Sequence, residues 1–266
     1  MRGDKKMPVK TKSSEVLASD ASLEARRKAL FVQRIVSMIP LFACILLGGM
    51  YIISALANGY DLRIGFEVII SNATLVGLVA TGATYIFASG SFDLSLGSNM
   101  LLSAIIGGAV GIQTGSIWAM VLACIAVAVT LSVLNALLAS FFNLPVFIMT
   151  IVMMNVYGSI STLLFTTLGT NAKISVPFAM VTALNNTWFR IALIVAFELF
   201  CCFIFYLLKI GRKQKFLGGN PFCARLSGIK PKTLTVISFA LAGIGIGLAS
   251  FAMIVETPTL SASSGS

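Results

Sequence analysis

The sequence predicts an all-α fold, that of a polytopic helical membrane protein, and three observations carry the expectation. Of the 266 residues, 58% are hydrophobic and 11% charged, with a mean hydropathy of +0.97. The apolar residues gather into seven long stretches, and the basic residues into two short segments outside them. A soluble globule of this length cannot enclose so much apolar side chain, whereas a bilayer accepts it as helices whose backbone groups are bonded internally.

Residues 1–34 are polar and charged, with little apolar content before Leu30, and are expected to form a mobile basic leader; within it, Ala21 to Val32 fits an amphipathic surface helix. The apolar run that follows is too long for a cleavable signal and is read as an anchor. Residues 35–266 are read as one transmembrane domain. Its spans are Ile35 to Ala57, Phe66 to Ser89, Met100 to Gly115, Ile117 to Phe142, Val146 to Phe165, Trp188 to Leu208 and Thr233 to Val255. Most exceed the roughly 20 residues that a helix needs to cross the hydrocarbon core. The third is short, and only Ser116 separates it from the fourth, so a tight hairpin and a broken, partly re-entrant segment both remain open. Thr166 to Thr187 holds a single charge, Lys173, and is expected to be the largest external loop, with Trp188 as an interfacial anchor of the next span. Gly107, Gly111 and Gly115, and again Gly243 and Gly247, recur at four-residue spacing, which lets helix backbones approach closely in lipid; packing within the chain and contact with a second copy both use such spacing.

Charge placement fixes the expected orientation. The first 34 residues hold nine Lys or Arg against four Asp or Glu, and residues 209–232 hold seven basic residues and no acid, so sixteen of the nineteen basic residues lie in these two segments. Both belong on the cytoplasmic side by the positive-inside rule, and the six spans between them agree with that parity. The net charge of +10 is thus a topology signal rather than a nucleic-acid footprint. Five cysteines without paired spacing, and no histidine, predict neither a disulfide framework nor a metal site.

Several polar groups interrupt the apolar sequence. The segment Phe92 to Ser98, FDLSLGS, marks a possible broken or re-entrant stretch around residues 89–99. Asp93 either accepts hydrogen bonds from the first N–H groups of the next helix, with Ser95 or Ser98 as its cap, or belongs with Ser95 and Gly97 to a gate lining a water-filled path; both readings can hold together. Asn72, Asn135 and Asn155 lie inside spans and each needs a partner or water, as an interhelical bond or as pathway lining, while Asn99 and Asn143 lie at span ends. Glu198, near the middle of the sixth span, is an intramembrane acid and therefore a candidate functional residue with no assigned role. Arg190, eight residues earlier and about 12 Å along the axis, is too far for a direct pair.

The loop Leu217 to Ile229, LGGNPFCARLSGI, carries a complete local instruction. Asn220 suits an N-cap, Pro221 the first helical position and Gly228 a left-handed end, which predicts a two-turn helix over Pro221 to Ser227. Phe222 and Leu226 share a face, while Cys223, Ala224 and Ser227 are small enough to let another surface approach. So short a helix needs something to pack on, either the lipid surface or a cytoplasmic protein.

Three blocks together resemble the permease subunits of bacterial ABC importers for monosaccharides, of the ribose, xylose and autoinducer-2 type within the branched-chain amino acid and sugar permease superfamily. FDLSLGS is similar to that family's Gly-Gly-Ile-Asp-Leu-Ser-Val-Gly-Ser. Asn135 with LPVFIMT, Leu144 to Thr150, is similar to its Asn-Gly followed by Pro-Pro-Phe-Ile-Val-Thr. LGGNPFCARLSGI is similar to its Gly-Gly-Asn-x-x-Ala-Ala-Arg-Leu-Ser-Gly-Ile. The resemblance covers roughly residues 60 to 255 and implies half of a translocation pathway, fed by an extracytoplasmic sugar-binding protein, paired with a second permease subunit and driven by a separate ABC ATPase that holds the ATP. It implies no cofactor on this chain, which has no phosphate-cradling Gly-x-x-x-x-Gly-Lys-Ser/Thr loop, and a place in the bacterial cytoplasmic membrane. Carried over by position, Gly218, Gly219, Asn220, Ala224, Arg225, Leu226, Ser227 and Gly228 form the coupling helix that docks on the ATPase, within a cytoplasmic segment 209–232, and Asp93, Ser95 and Gly97 shape the gate. Ser91, Ala136, Leu144 and Cys223 depart from the pattern by small changes. The family continues past the equivalent of Val255 where this sequence stops at SASSGS, so a fragment or a truncated product is expected. Nucleoside or branched-chain amino acid transport is the nearest alternative. A seven-span receptor or an intramembrane enzyme fits less well, since Asp93 and Glu198 have no catalytic spacing.

Overall fold

The computed structural model describes residues 12–59, 61–168, 173–182 and 184–261. Helix α1 runs over Lys12–Asn58, and the described part of the leader continues into the first span with no break at residue 34. Residues 1–11 lie outside the described residues. The chain divides into two units, residues 1–65 and 66–266. In the first, the large aliphatic, methionine and phenylalanine side chains of α1 from Leu30 to Leu56 are exposed, as suits a helix in lipid, while the small Ala55 is buried.

In the second unit, α2 (Leu62–Ala88, which begins in the first) is followed by α3 (Leu96–Thr114), α4 (Ile117–Phe142) and α5 (Val146–Leu168). A strand β1 (Lys173–Ser175) and a short helix α6 (Phe178–Val181) lead to α7 (Thr187–Cys202), which continues as a π-helical turn over Phe203–Leu207. Helices α8 (Lys209–Gly219) and α9 (Pro221–Leu226) precede α10 (Pro231–Glu256) and a strand β2 (Thr259–Ser261). Among the described residues, seven helices, α1 to α5, α7 with its π turn, and α10, are long and apolar enough to cross a membrane. The third is a full helix of 19 residues. Gly115 ends it in a left-handed turn at φ 63° and Ser116 caps α4, so the third and fourth spans form a tight hairpin.

Helix α10 is the centre: 72% of its apolar window is buried, against 17% for α2. Lipid chains are as apolar as leucine, so this helix is held by close backbone packing. A Cβ on Gly243 would lie 2.6 Å from the Val129 Cα, and one on Gly247 2.5 Å from the Ile125 Cα, which sets α4 antiparallel against α10. Likewise a Cβ on Gly245 would lie 2.7 Å from the Leu78 carbonyl oxygen of α2. The glycine spacing therefore serves packing within the chain. Gly247→Leu is expected to force the helices apart at a cost of about 1–3 kcal/mol, read as a lower melting temperature in detergent; an unchanged midpoint would contradict the crossing.

The fold also holds a feature that the sequence reading did not contain. Strands β1 and β2 pair antiparallel, Ile174 opposite Leu260, and both side chains are buried beneath the far end of α10 with Val176, Val181 and Phe251. The ribbon closes one end of the bundle. The opposite end gathers the α2–α3 connection, the α4–α5 turn, α8, α9 and the start of α10, where Lys232 Nζ donates to the Ser140 carbonyl at 3.0 Å and to Asn143 Oδ1 at 2.9 Å.

Candidate functional site

The seven residues between α2 and α3, 89–95, are irregular but not open: Ser89, Asp93 and Ser95 are all buried. Buried polar groups need partners, and here they form a chain that crosses three helices. Asp93 Oδ1 accepts from the Ser95 N–H and the Ser95 hydroxyl, both at 2.7 Å. Asn135 Nδ2 on α4 donates to Ser95 Oγ at 2.7 Å, and the Tyr157 hydroxyl on α5 donates to Asn135 Oδ1, also at 2.7 Å. Leu94 N–H reaches Thr150 Oγ1 on α5 at 3.3 Å. One turn further along α3, Asn99 Nδ2 donates to Ser132 Oγ at 2.9 Å and to the Ala128 carbonyl at 3.2 Å, while Ser103 Oγ donates to Asn99 Oδ1 at 3.1 Å.

This arrangement sorts the sequence candidates. Asp93, Ser95 and Asn135 come together, so the segment is a buried connection between two full helices rather than a re-entrant one. Ser95 is the N-cap residue of α3 but makes no side-chain cap bond there; its hydroxyl is spent on Asp93. Gly97 is exposed, with nothing within 4 Å of an added Cβ. Asn72 and Asn155 stay out of the network. Both are exposed and return their amides to their own helices, at Val68 O and Ile151 O, both 3.0 Å away. Asn99, set aside as a span-end residue, is wholly buried and central. Tyr157 and Thr150 were not singled out at all, although a tyrosine hydroxyl inside an apolar span signals a buried acceptor. The second oxygen, Asp93 Oδ2, has no hydrogen-bond partner among the described residues. Burial pushes this carboxyl above its ordinary range, against the hydrogen bonds from Ser95 that favour the charged form.

The loop from Leu217 to Ile229 closes on itself locally. Asn220 Oδ1 accepts from the N–H groups of Phe222 at 3.0 Å and Cys223 at 3.1 Å, and Pro221 opens α9. At the other end Gly228 takes φ +76°, its N–H donates to the Arg225 carbonyl at 3.0 Å and that of Ile229 to the Ala224 carbonyl at 3.1 Å, the paired pattern of a Schellman end. Ala224 points inward, fully buried with Leu217 and Leu234, so it packs the helix down and offers nothing to a partner surface. Phe222 and Leu226 point outward, 69% and 74% exposed, beside exposed Arg225 and Ser227. The base of this loop meets the Asp93 segment: a Cβ on Gly218 would overlap the Ala88 carbonyl oxygen, and Gly90 packs against the Gly218 Cα. Gln214, also not singled out, ties α8 to α10 through Ser238 Oγ at 2.9 Å.

Residues 65–265 match the family of branched-chain amino acid transport system / permease components. The chain belongs to that family. It is a multi-pass membrane protein, and the relatives it matches are import permeases. It is 26% identical over 208 residues to a fructose import permease of Rhizobium meliloti, covering 74% of this chain and 58% of that one. It is 27% identical over 199 residues to an autoinducer 2 import permease of Klebsiella pneumoniae (69% and 58%), and 26% identical over 204 residues to a ribose import permease of Escherichia coli (73% and 61%). The chain thus spans about six-tenths of the length of these relatives. No solved structure matches it at a significant level.

Proposed function

We propose that this permease is a transmembrane subunit of an ABC-type sugar importer of the bacterial cytoplasmic membrane, with its N-terminus inside. It forms half of the translocation pathway with a second permease subunit, receives a monosaccharide from an extracytoplasmic binding protein, and is driven by a separate ATPase that carries the ATP. The observation that carries this reading is the capped helix α9, which presents Phe222, Leu226 and Arg225 outward while the end of α8 that leads into it, at Gly218, abuts the segment that holds Asp93. A push on α9 is therefore delivered through backbone contacts to the end of α2, and from Asp93 through Ser95 and Asn135 to Tyr157 on α5. Such a discrete packed linkage is what an alternating-access cycle requires. Asn220, Pro221 and Gly228 fix the shape of the docking element; Gly218 and Ala224 fix its seat.

The import permeases for fructose, autoinducer 2 and ribose support sugar as the substrate class. The family's description keeps branched-chain amino acids as the second reading. Restoring this chain to bacteria that lack it is expected to restore ATP-dependent uptake of radiolabelled ribose or fructose. Uptake of leucine with no sugar uptake would transfer the assignment to the second class.

A further inference from the structure

Glu198 takes no part in the network above, and its surroundings make a second site. Its Oε2 accepts a hydrogen bond from Thr81 Oγ1 at 3.0 Å, and it is exposed on the flank of the bundle despite lying inside a membrane-spanning helix. An acid set against lipid chains is costly, which argues for water or polar groups at this flank. It is also concave. A cavity of about 170 Å³ is lined by Thr81 and Thr84 of α2 and by Glu198, Cys202, Phe205 and Tyr206 of α7 and its π turn. The wall is rigid, because the buried Tyr85 hydroxyl donates to the Cys201 carbonyl at 2.6 Å where the helix changes register. A π turn of this kind re-aims side chains at the cost of helix regularity.

The groups that converge there define a ligand. Glu198 Oε1 accepts no hydrogen bond among the described residues, and the hydroxyl oxygens of Thr81 and Thr84, whose protons go to Glu198 and to the Ala80 carbonyl, retain lone pairs. The pocket therefore offers acceptors to a ligand rich in hydroxyl donors. A cationic ligand is disfavoured, since Lys215 Nζ already sits 4.4 Å from the centroids of both the Phe205 and the Tyr206 ring. We propose that this pocket is a water-filled contact site for a neutral, polyhydroxylated ligand of monosaccharide size in the wall of the translocation path, with Glu198 as the residue that accepts hydrogen bonds from its hydroxyls. The proposal rests on the importer reading.

Cys202 supplies the test, being an exposed free thiol on the pocket wall. Membrane vesicles carrying the assembled transporter are treated with a charged, membrane-impermeant thiosulfonate, and mass spectrometry reads each cysteine separately. Only a hydrated thiol forms the thiolate that reacts. Cys202 is expected to be modified, buried Cys124 and Cys201 are not, and ribose added as the probe is expected to slow the Cys202 reaction. Glu198→Gln and Thr84→Val are each expected to weaken ribose protection at least about tenfold while Cys202 stays reactive. An unreactive Cys202, or a reactive one that ribose never protects in vesicles that import ribose, overturns the proposal. Vesicles that import no monosaccharide overturn the importer reading, and the pocket assignment falls with it.

Discussion

Replacing Gly218 with valine is expected to cut uptake by at least about tenfold, while the chain still inserts in the membrane at wild-type levels. The expectation follows from where the added atoms must go. A Cβ at Gly218 overlaps the Ala88 carbonyl oxygen and approaches the Gly90 nitrogen at 3.3 Å, so the obstruction is backbone and no rotamer relieves it. Helix α8 must lift off the end of α2, which severs the route from α9 to the Asp93 segment. The neighbouring glycine tests the steric argument: nothing lies within 4 Å of a Cβ on Gly219, and Gly219→Val is expected to cost less uptake than Gly218→Val. Membrane abundance by immunoblot, uptake of labelled sugar and ATP hydrolysis separate the outcomes. Lost uptake with persisting hydrolysis identifies an uncoupled transporter, whereas full uptake in Gly218→Val would remove this contact from the mechanism.

Asn135→Leu is expected to be among the most destabilising single changes at a polar residue of the span interior. Asn135 is fully buried and both of its amide atoms are used, one toward Ser95 and one toward Tyr157. Leucine has nearly the same bulk but leaves both partners without this bond, and each buried group left unsatisfied costs about 1–3 kcal/mol. Tyr157 retains the Leu131 carbonyl at 3.0 Å as an alternative acceptor, so the larger share of the loss falls on the Ser95–Asp93 side. Thermal unfolding in detergent, with Tyr157→Phe and the double variant, measures the coupling: a sum of single effects larger than the double effect is expected for one connected network. Asn155→Leu, on the exposed face of α5, should move the midpoint little. Equal effects at positions 135 and 155 would contradict the distinction drawn between them.

What was legible in the sequence was local or periodic. Span length comes from apolar runs, and α9 comes from a cap, a proline and a glycine within nine residues, each acting on its own neighbours; the helix ends at Leu226 with Ser227 as its cap residue, one residue short of the expectation. The partners of polar groups were not legible, because they are set by which helix faces meet. Asn72, Asn135 and Asn155 look alike in sequence as amides in apolar spans, yet only Asn135 faces the bundle interior. Ala224 reads as a small residue that admits a partner, and it is instead the anchor that turns Phe222 and Leu226 outward. The ribbon of β1 and β2 joins residues 84 or more positions apart through three-residue strands, too short for any period to show. Glu198 was conspicuous as an acid in a span, but its meaning depended on Thr81, which lies 117 residues away.

The central claim is that the outward face of α9 docks on an ATPase, and a photo-crosslinking amino acid placed at Phe222 tests it in the native membrane. The account predicts a crosslink to an ATP-binding protein whose yield changes when hydrolysis is blocked by a non-hydrolysable nucleotide in permeabilised cells. Crosslinks to lipid alone, in cells that import the sugar, would show that α9 rests on the membrane surface and would contradict the account.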